Sequence, residues 1–265
     1  VIWNTPHTSG GWKKKDGHYH RNAKGGGEWE FFHLPDEWTI HYSLPCLPPE
    51  KVLNFHLKPF SFKHTGLFPE QATNWDWFSG LIADAVKKDP GRQPKVLNLF
   101  AYTGGATLAA AAAGAAVTHV DASKGMVTWA KENAISSGLG EAPIRWLVDD
   151  CVKFVEREIR RGNKYDGIIM DPPSYGRGPK GEIWKIEESI WPFIELTAQL
   201  LSKDALFFLI NSYTTGLQPA VLSYMINTAI TKQFGGTVDA EEIGLPVKES
   251  GLVLPCGASG RWHRA

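Results

Sequence analysis

Four aspartates stand where chemistry could be done: Asp121, the adjacent pair Asp149 and Asp150, and Asp171. Each follows a short apolar run, which places it at the carboxyl end of an expected strand. The stretch from Val96 to Asp121 reads VLNLFAYTGGATLAAAAAGAAVTHVD: a buried strand, a glycine turn, an alanine-rich helix and a second strand ending in an acid. That order is the first half of a mononucleotide-binding βαβ unit, in which the acid accepts hydrogen bonds from a ribose diol. An adenosine-containing cofactor is the expected ligand. The turn, Tyr102-Thr103-Gly104-Gly105-Ala106, lacks the G-x-G-x-x-G spacing of a pyrophosphate cradle, which counts against NAD and leaves a nucleoside without phosphates.

A second motif lies in Tyr165 to Tyr175, YDGIIMDPPSY, where an apolar run ends in Asp171-Pro172-Pro173-Ser174. Two consecutive prolines cannot continue a sheet ladder, so the strand stops there and the tetrapeptide falls on the same ligand-bearing edge. Taken alone, it also reads as two loop prolines after a buried strand. Together, the glycine turn and this motif resemble the class I S-adenosylmethionine-dependent methyltransferases. NLFAYTGG with MDPPSY is similar to the bacterial large-subunit ribosomal RNA methyltransferase family, whose branches methylate cytosine carbon-5 or guanine nitrogen-7. The stretch Lys63 to Gln71, KHTGLFPEQ, is similar to the segment preceding the catalytic domain in that family. The resemblance covers roughly Gly66 to Tyr213.

The resemblance implies S-adenosyl-L-methionine as cofactor and a set of roles. Asp121, with Ser123 beside it as a helix cap, would hold the ribose. Tyr102, Thr103, Gly104 and Gly105 would border the amino-acid end, which Phe68 and Gln71 would close. Asp149 and Asp150 would meet the adenine, although Asp150 also reads as a cap for the helix starting at Cys151. Asp171, Pro172, Pro173 and Ser174 would form the catalytic base site, since methyl transfer is an in-line displacement that needs alignment and exclusion of water. Tyr175 would stack a flipped base, and Arg177 and Lys180 would meet phosphates.

These residues need a frame, and the alternation of apolar runs supplies it. Strands are expected over Val96–Phe100, Val117–Val120, Ile144–Val148, Lys164–Met170 and Ala205–Asn211. Helices are expected over 72–88, 107–113, from Ser123 to about Ser137, 151–161, 187–201 and 219–232. Val238–Ile243 and Gly251–Leu254 are the last strand candidates. The implied class is α/β, a mostly parallel Rossmann-like sheet with helices on both faces; the resemblance adds a seventh strand inserted antiparallel. Residues 1 to about 27 show no period and read as an arm, and Trp29 to Pro59 as a small antiparallel sheet. The expected division is an N-terminal arm and β region over 1–62 and a methyltransferase domain over 63–265.

Composition narrows the function without naming it. With 265 residues the chain can bury a full doubly wound core. Lys+Arg and Asp+Glu are both 28, so no global basic field draws it to nucleic acid, and RNA binding needs a local patch. One candidate is the interleaving of cations and aromatics in Trp12, Lys13, Lys14, Lys15, Tyr19, His20, Arg21 and Lys24. Cys46, Cys151 and Cys256 form no C-x-x-C pair, the usage of a reducing, cytoplasmic compartment. His18-Tyr19-His20 could suggest a metal, but no cysteine or carboxylate pattern completes it, so no metal is expected. No apolar run approaches a membrane span, and no signal core is present at the start. The chain begins at Val1, which leaves an upstream piece open.

The expected function is methylation of a base in ribosomal RNA. Carbon-5 of cytosine is a poor nucleophile and needs a thiolate that first adds to carbon-6. The carbon-5 branch of the family carries that cysteine after the fifth strand, where this chain reads Ile210-Asn211-Ser212-Tyr213-Thr214. A base nitrogen is therefore the expected acceptor, with Cys256 as the route by which carbon-5 chemistry could return. The alternatives are a methyltransferase acting on a small molecule or protein, a dehydrogenase of the same fold, and an RNA-binding relative without catalysis.

Overall fold

A computed structural model describes residues 15–22, 26–60, 64–177 and 183–264. The chain opens with two antiparallel ladders. β1 (Gly17–Arg21) pairs with β2 (Gly27–Phe31), and β3 (Trp38–Ser43) pairs with β4 (Val52–Leu57). The small sheet anticipated over Trp29 to Pro59 is thus two separate hairpins. The first takes its opening strand from residues read as an unstructured arm. His18-Tyr19-His20 alternates outward and inward, a period of two too short to stand out between glycines.

Pro69 to Gln71 form a single tight turn that leads into α1 (Ala72–Lys88). The α/β alternation then runs β5 (Lys95–Leu99), α2 (Gly105–Ala112), β6 (Ala116–Asp121), α3 (Lys124–Ser136), β7 (Ile144–Val148), α4 (Cys151–Arg160) and β8 (Gly167–Met170). A short hairpin of β9 (Tyr175–Arg177) and β10 (Ile183–Lys185) precedes α5 (Ile186–Ala198). After β11 (Phe207–Ser212) come α6 (Pro219–Ile226), extended by helical turns at Asn227–Thr231 and Lys232–Phe234, and then β12 (Thr237–Pro246) and β13 (Val253–His263).

Seven strands form one sheet in the order β12-β13-β11-β8-β5-β6-β7. The five from β11 to β7 are parallel, and β13 inserts antiparallel between β11 and β12. Successive residues of the apolar strands face opposite ways, so each strand feeds two cores. Leu97, Leu99, Ile168, Met170, Phe208 and Ile210 meet α4, α5 and α6. Val96, Ile169, Phe207 and Leu209 meet α1 and α2, together with Leu53 and Phe55 of β4. No helix among the described residues is long and apolar enough to cross a membrane.

β13 runs to His263, nine residues past the end anticipated at Leu254. Gly257-Ala258-Ser259-Gly260 has little intrinsic preference for a strand. Its smallness is what the site demands: a Cβ on Gly260 would lie 2.6 Å from Ile226 Cδ1, and one on Gly257 would lie 2.8 Å from the Ser212 carbonyl oxygen. At the amino edge of the sheet, Asp166 accepts hydrogen bonds from Arg92 Nη2 (3.0 Å), the Lys95 N–H (2.9 Å) and Ser202 Oγ (2.8 Å). These bonds tie the starts of β5 and β8 to the loop before β11, and the carboxyl edge carries the turns that follow β5 and β8.

Gly167 opens β8 under the Phe207 ring, whose nearest carbon would lie 2.4 Å from an added Cβ. A ring packed between Trp77 and Phe78 has no room to retreat. Gly167→Ala is expected to destabilise the fold by about 1–3 kcal/mol, the usual cost of overpacking, read as a lowered urea midpoint.

Candidate active site

The glycine turn is held in an unusual conformation. Phe100 (φ 56°), Tyr102 (φ 50°) and Gly104 (φ 88°) all lie in the left-handed region, where a non-glycine residue costs on the order of 1–3 kcal/mol. The compensation is visible. Tyr102 N–H donates to Asp121 Oδ2 (2.9 Å), and Ser123 N–H donates to Asp121 Oδ1 (2.8 Å). Asp121 therefore ties the turn after β5 to the end of β6. Each carboxylate oxygen has two acceptor positions; one on each takes a backbone N–H, and one remains for a vicinal diol. The remaining acceptor positions thus fit the hydroxyls of a nucleoside cofactor's ribose. Burial pushes the Asp121 carboxyl up, and the two N–H bonds oppose that shift.

The glycines are as much a packing device as a point of approach. A Cβ on Gly104 would lie 2.9 Å from Ala130 Cβ, and one on Gly105 would lie 2.6 Å from the Trp75 ring. Ser123 caps α3 by accepting from Met126 N–H (3.4 Å). Asp150 caps α4 by accepting from Lys153 N–H (2.9 Å), so the capping role anticipated for it is present in the fold. Asp149 accepts from Arg157 and from the Asp150 N–H. Asp150 also borders a wide apolar groove between α4 and α5, with Val152, Trp184 and Phe193.

One cleft gathers residues distant in sequence: Phe68, Gln71, Tyr102, Thr103, Gly105 and Asp171 all line it. Phe68 sits in an aromatic cluster, its ring 5.7 Å from those of both Tyr102 and Tyr213. Burial lifts the Tyr102 phenol to about 12. Gln71 is engaged at both ends of its amide. Its Nε2 donates to Tyr213 Oη (2.7 Å), and its Oε1 accepts from Asn74 Nδ2 (2.8 Å) and Asn211 Nδ2 (3.0 Å). Arg261 Nε in β13 donates to Asn74 Oδ1 (2.7 Å), so a buried polar network runs from the last strand to the cleft.

Asp171 begins the turn after β8. Burial, reinforced by the Glu70 charge, pushes its carboxyl up to about 7. Glu70 itself is 7% exposed. Tyr213 lies among these acids, and burial first, then Asp171 and Glu70, raise its phenol well above the usual range. Glu70 and Tyr213 were not singled out in the sequence. The FPEQ stretch gave a signal for Glu70, and Tyr213 stands one residue after β11 at the ligand-bearing edge.

The proline turn is braced from outside. Trp184 Nε1 donates to the Pro173 carbonyl (2.7 Å), and Ser174 Oγ bonds Thr214 Oγ1. Pro172 is buried and Pro173 exposed. Tyr175, 52% exposed, and Arg177 follow on β9, whereas Lys180 lies outside the described residues, as do Trp12, Lys13, Lys14 and Lys24. Cys256 of β13 borders a second groove with Ser212 and Tyr213. Its thiol is pushed up by burial and by Glu70. Cys151 is buried, with its thiol raised likewise.

The family model described as S-adenosylmethionine-dependent methyltransferase matches residues 50–200, more than half of the chain. This chain is a member of that family. Its cofactor is S-adenosyl-L-methionine. The methyltransferase is 32% identical over 152 residues to a protein of Shewanella frigidimarina named ribosomal RNA large subunit methyltransferase K/L, covering 57% of this chain and 20% of the relative. Against ribosomal RNA large subunit methyltransferase K of Neisseria meningitidis it is 28% identical, covering 53% of this chain and 38% of the relative. The chain therefore spans well under half the length of these relatives. A crystal structure of a SAM-dependent methyltransferase from Agrobacterium tumefaciens matches with a TM-score of 0.81 and 35% identity, over 98% of this chain and 80% of that one.

Two outcomes are expected. Asp121→Ala should weaken S-adenosylmethionine binding roughly 10- to 100-fold, at ~1.4 kcal/mol per decade, with Asp121→Asn losing less; calorimetry on the folded variants measures this. For Asp171, the raised value means that folding favours the neutral carboxyl. That stabilisation is complete below the unfolded value of 3.8 and is lost as pH rises through about 7. Asp171→Asn should therefore melt several degrees above the wild-type protein at high pH and alike at low pH, in thermal scans across the range.

Proposed function

We propose that this methyltransferase modifies a base of large-subunit ribosomal RNA at a ring or exocyclic nitrogen. The observation that carries the reading is the position of Asp171. It lines the same cleft as Phe68, Tyr102 and the glycine turn, on a turn stiffened by two prolines and braced by Trp184. The names of the Shewanella and Neisseria relatives support the substrate class.

Bound S-adenosylmethionine supplies an electrophilic methyl group on sulfur. A nitrogen lone pair needs alignment with that methyl and little activation. In this proposal Asp121 and Ser123 hold the ribose, Asp149 and Asp150 border the adenine, and Phe68, Gln71, Tyr102, Thr103, Gly104 and Gly105 enclose the amino-acid end. Asp171 accepts a hydrogen bond from the N–H of the base. As the new carbon–nitrogen bond forms, the carbon–sulfur bond breaks and leaves a neutral thioether. An amine acceptor then sheds its proton to the Asp171 carboxylate, for which a carboxyl poised near neutrality is suited, whereas a ring nitrogen without hydrogen keeps a positive charge that the carboxylate offsets. Pro172, Pro173 and Ser174 fix the turn, and Tyr175 offers its exposed ring for stacking. Arg177 and Lys180 are the proposed phosphate contacts. The division into an N-terminal region over 1–62 and a catalytic domain over 63–265 belongs to the same proposal, as does a cytoplasmic setting, which the three free cysteines support.

Carbon-5 chemistry is disfavoured on two grounds. The end of β11 holds Asn211 and Ser212 and is followed by Tyr213, with no thiol. Cys256 does reach the ligand-bearing edge, but burial and Glu70 keep it a thiol, which is a weak nucleophile. A second reading, a small-molecule acceptor, is favoured by the zero net charge. Salt separates the two, because phosphate contacts release counterions and transfer to RNA then falls steeply as salt rises.

Nucleoside mass spectrometry of ribosomal RNA from cells with and without the gene is expected to show loss of one N-methylated base. Cys256→Ser should retain turnover within about twofold, and the wild-type protein should give no covalent adduct with 5-fluorocytidine RNA. Loss of turnover in Cys256→Ser together with an adduct on the wild-type protein would restore carbon-5 chemistry.

A further inference from the structure

The β1–β2 hairpin carries a group of side chains that the methyl-transfer chemistry does not use. In its register His18 faces Glu30 and His20 faces Glu28. His18, His20 and Glu30 all lie on the exposed side of the ladder, with Tyr19 and Trp29 on the other. His20 Nε2 is 3.0 Å from Glu30 Oε2, and His18 Nδ1 is 4.0 Å from the same oxygen. The two imidazole centroids are 4.1 Å apart. One ligand atom from each of the three residues falls within 4.8 Å of the others, and no other such group occurs among the described residues. The sequence offered His18-Tyr19-His20 without a carboxylate. The hairpin register brings one from ten positions further along the chain.

We propose that His18, His20 and Glu30 form a binding site for a divalent transition ion of the zinc class, which cross-links the two strands of the hairpin. Two imidazoles and one carboxylate are the donor set that Zn²⁺ takes in open sites, with water in the fourth position. Ligands at ~2.0–2.2 Å from a tetrahedral ion lie about 3.3–3.6 Å apart. The two imidazole–carboxylate distances, 3.0 and 4.0 Å, bracket that spacing, and all three ligand atoms lie within 4.8 Å of one another. Lys15 is the competing cation, its Nζ 3.2 Å from His18 Nδ1 and 4.9 Å from the Phe32 ring centroid. It is itself exposed, so its ammonium can turn to water when the ion enters.

The ion has structural work to do. An isolated two-stranded hairpin is marginal in water, and this one leaves Phe31 50% and Phe32 45% exposed. Its tie to the body includes Trp29 Nε1, which donates to the Phe60 carbonyl (2.9 Å) on the approach to Phe68. A cross-strand ion would fix the register that makes this contact. None of its ligands lines the cleft, so the ion takes no part in the methyl transfer.

The test uses the full chain without a histidine tag, stripped of metal, titrated with Co²⁺ followed by optical absorption and with Zn²⁺ followed by calorimetry. One equivalent of Co²⁺ should bind with visible d–d bands that Zn²⁺ displaces. His18→Ala and His20→Ala should each weaken binding about tenfold or more, Glu30→Gln should weaken it, and His41→Ala, an exposed histidine on β3, should leave it unchanged. Circular dichroism of each variant confirms folding. Absence of saturable binding, or equal binding by the His18→Ala/His20→Ala double variant, would overturn the proposal.

Discussion

The hydrogen bonds from Tyr102 and Ser123 to Asp121 hold the rest of the site in place. Phe100 and Tyr102 adopt backbone conformations that their side chains disfavour, and a buried carboxylate needs donors. Each problem solves the other. The acid receives two fixed N–H groups in a region where burial would otherwise drive it toward neutrality, and the strained turn is pinned at its centre. What is left over, one acceptor position on each oxygen, is where the proposal seats the ribose. In that proposal the same group serves the fold and the ligand.

Around that anchor the sheet acts as a collector. The proline turn, the FPEQ stretch and the end of β11 lie far apart in the chain, yet they meet because parallel strands end on one edge. The insertion of β13 adds a fourth contributor. Its smallness at Gly257 to Gly260 lets α6 and β11 close on it, and Arg261 then reaches Asn74 beneath the cleft. The polar network from Arg261 through Asn74 to Gln71 and Tyr213 makes the cleft wall part of the buried scaffold. A side chain such as Gln71, with both ends of its amide engaged, acts there through shape and through the orientation of Tyr213.

The parts legible in the sequence were those governed by local pattern. β5 through α4 follow from apolar runs, a glycine turn and capping residues, and Asp121 and Asp171 were placed by strand ends. Three features resisted for a common reason, since each depends on a partner remote in sequence. β13 continues through Gly257 to Gly260 because β11 and β12 pair with it on both sides, which its own residues do not reveal. Glu70 matters because β8 brings Asp171 near it. Glu30 joins His18 and His20 only through hairpin register, which an isolated His-x-His cannot disclose. Asp150 is a different case: capping and adenine contact were both legible, and the observed cap coexists with a place at the rim of the α4–α5 groove.

The three hydrogen bonds at Asp166 have a bearing on motion. They stitch the starts of β5 and β8 to the loop before β11, so local opening at that point must break three bonds together. The opposite edge ends in turns braced by single side chains such as Trp184. Breathing of the molecule is then directed toward the ligand side. Cofactor and substrate can enter through fluctuations that leave the strand ladder intact, and amide protons should exchange on a gradient, slowest near Asp166 and fastest along the rim.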